Sequence, residues 1–187
     1  MLKMLAIFIY LSALLLTSAL HLEAEALTQD FYWRDYIPGD MPCDAIEAAP
    51  GRYIGQAYEN GYMVATIYPH IGVAVIEMGG KKIIRDNVKI FCSYQPQYFY
   101  WEKVNFDEPY DNQATNAVRG GHQNNLFILF IGKAFHEGEW KIGKVFDIMH
   151  KWKGLWLWDA NGKSNNLREF YLLKYNTSIN ECTNKVF

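Results

Sequence analysis

Short apolar runs separated by turn residues, with no window of helical spacing, set the pattern of the chain beyond its leader. Arg52–Tyr58 is rich in strand formers, and Val73–Met78 runs into Gly79-Gly80, a hairpin-type turn. Leu126–Ile131 is apolar at every position, which predicts a central strand buried on both faces. Leu155–Trp158 followed by Asp159-Ala-Asn-Gly162 predicts another strand and turn, with Asn161-Gly162 supplying positive φ angles. The expected fold is mainly β and antiparallel. Residues 1–26 read differently. Lys3, the apolar run Leu5–Leu16 and small residues ending at Ala26 have the three-part layout of a cleaved signal peptide. The run falls short of the roughly 20 residues of a membrane span.

Self-similarity organises the rest. Phe31-Tyr-Trp33 recurs as Phe99-Tyr-Trp101, Asp44-Ala-Ile46 as Asn116-Ala-Val118, and Ile54-Gly-Gln-Ala-Tyr58 as Ile131-Gly-Lys-Ala-Phe135. Gly80-Lys81 then recurs as Gly162-Lys163, and Val88–Phe91 falls on Phe170–Leu173. The order is kept and the offset only grows, as expected of a duplicated unit whose second copy has longer loops. The organisation expected is a signal peptide at 1–26, a first repeat at 27–98, a second at 99–175 and a C-terminal tail at 176–187.

Composition narrows the function classes. The chain has 187 residues, 16% of them aromatic, with Lys+Arg 18 against Asp+Glu 20. That balance lacks the basic footprint of a nucleic-acid binder, and the aromatic content excludes a disordered chain. In an oxidising compartment Cys43, Cys92 and Cys182 allow at most one internal pair, and the sequence does not choose it. Asn176-Thr-Ser178 is an N-glycosylation sequon, which matters for a secreted chain.

No nucleophile elbow, zincin helix, Walker loop or dinucleotide fingerprint is present, so an enzyme is not expected and neither is a cofactor. His136-Glu137 begins like a zincin motif, but the second ligand is missing. His70, His122, His136 and His150 lack metal-ligand spacing and read as loop or surface residues, so no metal is expected. Trp33, Trp101, Trp152, Trp156 and Trp158 are expected to fill a thin β core, while Trp140 lies in a more polar stretch.

Ile131-Gly-Lys-Ala-Phe-His-Glu-Gly-Glu-Trp-Lys-Ile-Gly-Lys-Val145 resembles the repeat of the DM-nine family, whose units read like Y-[IV]-G-R-A-x-H-x-G-x-x-x-P-G-K-V. Asn116-Ala-Val-Arg-Gly-Gly121 is similar to that family's A-V-x-G-G segment, and Phe170–Leu173 to its closing Y-E-V-L. The first unit shows the same plan in degenerate form, and the resemblance covers about residues 31–175. It implies two tandem, intertwined repeats of antiparallel sheet forming one compact domain, and a mannose-type lectin activity. The family site pairs a carboxylate after Gly-Gly with the lysine of the P-G-K turn, so that one accepts from vicinal hydroxyls and the other donates to them. Carried over, the lysine falls on Lys144. The acid position falls near Gln123, within His122–Asn125, so the implied carbohydrate-binding residues are Lys144, Gln123, Asn124 and Asn125. With neutral amides as acceptors, the expected binding is weak. In the first unit the lysine position falls on Thr66 and the acid-bearing stretch is shortened to Ala48–Gly51, so that site is expected to be lost.

The function implied is a secreted, extracellular, non-enzymatic carbohydrate-binding protein. The alternative is a secreted structural or partner-binding protein that kept the fold and lost sugar binding. The partners expected are glycans, with no nucleic acid and no stable membrane insertion, and the sequence leaves a homodimer open. The repeat also resembles the amino-terminal module of natterin toxins, but residues 31–175 are taken up by repeats, and no pore-forming role is expected.

Overall fold

A computed structural model describes residues 30–108, 112–124 and 126–176. The predicted leader, Asn125, Cys182 and the tail beyond Asn176 lie outside the described residues. Among the described residues fourteen strands pair in one antiparallel network, and no helix is long and apolar enough to cross a membrane. The first seven strands are β1 (Tyr32–Asp35), β2 (Glu47–Ala49), β3 (Arg52–Tyr58), β4 (Gly61–Tyr68), β5 (Val73–Glu77), β6 (Lys81–Ile84) and β7 (Val88–Cys92). The second seven are β8 (Phe99–Asn105), β9 (Arg119–Gln123), β10 (Phe127–His136), β11 (Glu139–Phe146), β12 (Gly154–Trp158), β13 (Ser164–Leu167) and β14 (Glu169–Tyr175).

The two sets are wired alike. In the first, β7 lies between β1 and β3, β3 also pairs β2 and β4, and β5 and β6 continue from β4. In the second, β14 lies between β8 and β10, β10 also pairs β9 and β11, and β12 and β13 continue from β11. The register agrees as well. Ile54 faces Thr66 in β3–β4, and Ile131 faces Lys144 in β10–β11. Among the described residues one ladder joins the sets, β4 to β9, with Gly61 opposite Gln123 and Tyr62 opposite His122.

That ladder depends on glycine. Gly61 has φ +124, and a Cβ on it would overlap the His122 carbonyl oxygen. A Cβ on Gly121 would overlap the Tyr62 carbonyl oxygen. Gly121 of the Gly120-Gly121 segment therefore serves close approach of two backbones. The β3–β4 and β10–β11 hairpins also pack on each other, so the main core draws Ile54, Met63, Ile67, Ile76 and Ile90 from one set and Leu129, Ile131 and Ile142 from the other.

Three expectations need correction. Strand β10 is central, paired on both sides, yet Leu126 and Ile128 at its start are 77% and 46% exposed. The sheet leaves one face uncovered there, although Leu129 and Ile131 of the same run are fully buried. Of the tryptophans assigned to the core, Trp158 is fully buried and Trp33, Trp101 and Trp156 are partly buried and pack against the main core, but Trp152 is 40% exposed. In the Asp159–Gly162 turn the positive φ is carried by Gly162 but not by Asn161. The turn is held instead by Asp159, whose Oδ1 accepts from the backbone N–H groups of Asn161 and Lys163. Cys43 and Cys92 are both free thiols, the first exposed and the second buried, so they are not bonded to each other.

Candidate functional site

Lys144 sits in mid-β11, between Ile131 of β10 and Trp156 of β12, where the neighbouring positions are buried. An ammonium held there needs partners. Its Nζ lies 3.0 Å from Glu77 Oε2 and donates to Gln123 Oε1 at 3.1 Å. The third N–H is left with poor acceptors, the Met78 thioether at 4.0 Å and the face of Phe146 at 5.7 Å. The Lys144 and Glu77 side chains are 5% and 3% exposed.

Glu77 closes β5, directly before the Gly79-Gly80 turn. Its other oxygen, Oε1, accepts from the Gly80 backbone N–H at 3.2 Å and from Ser164 Oγ at 2.5 Å. Gln123 is carried to the ammonium by the β4–β9 ladder. Three strands, β5, β9 and β11, thus deliver a carboxylate, an amide and an ammonium to one point. They form the floor of a cavity of about 350 Å³ walled by Phe146, Trp152 and Trp156. Trp156 Nε1 donates to the Trp152 carbonyl at 2.8 Å, which fixes one indole against the loop that carries the other.

Of the residues carried over from the family pattern, the structure brings Lys144 and Gln123 together. Asn124 is not among the side chains lining this cavity. It adopts φ +53 and faces a separate recess with Tyr58, Asn60 and Gly61. Asn125 lies outside the described residues. Asn176 is the last described residue of the C-terminal segment, its N–H bonded to the Tyr98 carbonyl, and the rest of its sequon lies beyond.

Sequence reasoning missed Glu77. The expectation that only neutral amides accept at this site is corrected: a carboxylate is present, but it comes from the other set of strands. Its one signal was a charge closing the otherwise apolar run Val73–Met78. Both Trp152 and Trp156 were assigned to the core; Trp156 packs against it and also walls the cavity, whereas Trp152 is exposed on the cavity wall.

The equivalent position in the first set is closed. Thr66, in register where Lys144 stands in the second, is fully buried; its Oγ1 donates to the Ile142 carbonyl and accepts from the Ile142 N–H, both at 2.7 Å. Trp158 takes the register position that Glu77 holds, opposite Ser164 as Glu77 is opposite Lys81. It packs with Tyr68, Val73 and Val75 as a small apolar cluster. Apolar packing and a backbone-bound hydroxyl occupy the place of the ammonium and the acid.

Among the described residues no three His, Cys, Asp or Glu side chains are placed to hold a metal ion. The model of the DM9 repeat matches residues 50–152, more than half of the chain. None of the curated proteins compared with the chain matches it.

Proposed function

Since the chain belongs to the DM9 repeat family, which is associated with carbohydrate binding, we propose that it is a secreted, non-enzymatic sugar-binding protein whose ligand enters the Lys144 cavity. One observation carries this reading: Lys144, Glu77 and Gln123 converge on the floor of a cavity with tryptophan walls. The free valences suit vicinal hydroxyls. The third Lys144 N–H donates to a hydroxyl oxygen, the spare lone pairs of Glu77 accept a hydroxyl proton, and the Gln123 amide N–H groups remain to donate. The apolar face of a pyranose ring lies against Trp156 and Trp152. A mannose-type sugar is the first ligand to test, because the residues around Lys144 and Gly120-Gly121 resemble the pattern of mannose-type members of the family.

Calorimetric titration of methyl mannoside and mannan into the wild type, Lys144→Met and Trp156→Ala is the test. Losing the charged donor should cost about 1.5–3 kcal/mol, so Lys144→Met should weaken binding about tenfold or more. Equal binding by wild type and Lys144→Met would place the ligand elsewhere.

A second reading has its own support. Lys144 and Glu77 are both more than nine-tenths buried and neutralise each other, as a purely structural pair would. On that reading the chain is a secreted partner-binding protein, and a glycan array probed with it stays blank. Secretion rests on Lys3 and the Leu5–Leu16 run, and sequencing the amino terminus of protein from culture medium tests it.

A further inference from the structure

We infer that the sugar cavity is one half of a site for amphiphilic glycosides, whose apolar aglycone lies in a second recess across Phe146; this rests on the sugar-binding reading above. The second recess holds about 230 Å³ and is lined by Leu126, Phe127, Ile128, Phe130 and Phe146. It exceeds the roughly 150 Å³ of an apolar cavity known to take a benzene ring. Phe146 belongs to the walls of both spaces. Trp152, a wall of the sugar cavity, stands 5.8 Å from Phe146 and 6.0 Å from Phe127, ring centre to ring centre, so the aromatic surface continues from one to the other.

The two polar residues of the recess are engaged elsewhere. Asp147 Oδ1 accepts from the Met149 N–H, and His150 Nδ1 accepts from the Trp152 N–H. The His150 ring lies flat on Phe146 at 4.9 Å, adding another face to the aromatic group. The remaining lining, Leu126, Phe127, Ile128, Phe130 and Phe146, is apolar. Leu126 and Ile128 are exposed on the recess, and Trp152 stands 40% exposed at the junction. Large apolar side chains gathered at one place on a surface mark a contact. Here the contact adjoins the proposed hydroxyl-binding floor through the shared Phe146 wall. A sugar seated on Lys144 with its anomeric substituent directed across Phe146 fills both spaces, whereas a free sugar leaves the second one wet.

The experiment compares methyl and hexyl glycosides of mannose, glucose and galactose by calorimetry. It uses the wild type and the double variant Leu126→Asn/Ile128→Thr, which changes exposed side chains outside the sugar cavity. The expected result is a hexyl glycoside that binds the wild type about tenfold or more tightly than its methyl partner, as burial of two or three methylene groups delivers. In the variant the two should agree within about twofold while the methyl affinity stays unchanged. Equal affinities in the wild type, or a hexyl advantage that survives in the variant, would overturn this inference and leave the sugar reading standing. No binding of either glycoside by the wild type would remove both. If the affinities are equal and the variant alone changes its sedimentation from dimer to monomer, the patch is a contact between two copies of the chain.

Discussion

At the scale of the residue, the consequential feature is the pairing of Lys144 with Glu77. Two opposite charges, nearly out of water and 3.0 Å apart, offset each other's desolvation only while both are present. Removing one leaves the other buried and uncompensated. Glu77→Met alone should therefore cost about 3 kcal/mol of stability, at the lower end for buried pairs because the cavity admits water. The double variant Glu77→Met/Lys144→Met should recover most of that loss. Urea midpoints of the two single variants and the double variant check this, and additive losses would show that the charges are not coupled. Lys144 and Gln123 were legible in the sequence because both lie in a recognisable repeat. Glu77 was not, because no spacing rule connects a strand end in one set of strands with a lysine in the other.

Strand and turn elements were largely legible where the run of apolar residues ended in glycine. Val73–Met78 with Gly79-Gly80 and Leu155–Trp158 with its following turn are both strands in the structure. Strand β10 shows why burial is harder to read: a continuous apolar run signals two covered faces, but its first residues face the recess beside Phe146 instead. The Gly120-Gly121 segment was visible through its likeness to the family pattern, yet its physical reason needed the β4–β9 ladder. Gly121→Ala tests that reason. The added Cβ overlaps the Tyr62 carbonyl oxygen, and backbone atoms yield less readily than side chains. The variant should lose about 2–3 kcal/mol, and thermal melts should show the loss. Gly138→Ala, at a hairpin tip with no atom near the new Cβ but φ +85, should lose no more than about 1 kcal/mol. Equal losses would mean that φ strain, and not the approach of β4 and β9, explains the glycine.

The molecule as a whole carries a tie sensitive to pH. Lys133 in β10 reaches the first set of strands, donating from Nζ to the Ala48 carbonyl at 2.5 Å and lying over the Trp101 ring at 4.2 Å. At the equivalent position Gln56 reaches the other way, to the Gly120 carbonyl at 2.9 Å. Burial lowers the Lys133 amine from 10.5 to about 8. Below pH 8 the folded and unfolded forms both hold its proton, so its contribution is constant. Between pH 8 and 10.5 the folded form loses the proton first, unfolding takes one up, and stability rises with pH. Burial acts oppositely on the Cys92 thiol, raised from 9.0 to about 12, which lowers stability between those values. The clean window for Lys133 is therefore pH 8 to 9. Over it the wild type should gain up to about 1 kcal/mol relative to Lys133→Gln, which keeps a donor and removes the titration. Parallel stability curves for the two proteins would show that the amine is not held down.

The floor of the cavity has two owners. Glu77 comes from the first set of strands, Lys144 and Gln123 from the second, and among the described residues the sets share one ladder. On the proposed reading neither set alone carries the site, so occupancy and the joining of the sets are linked equilibria. A ligand that recognises only the joined form lends it free energy by mass action, about 2.7 kcal/mol at a hundredfold excess over its dissociation constant. On that reading the first set of strands, its own equivalent position filled by Thr66 and Trp158, is co-author of the second set's site, and loss of either set would silence it.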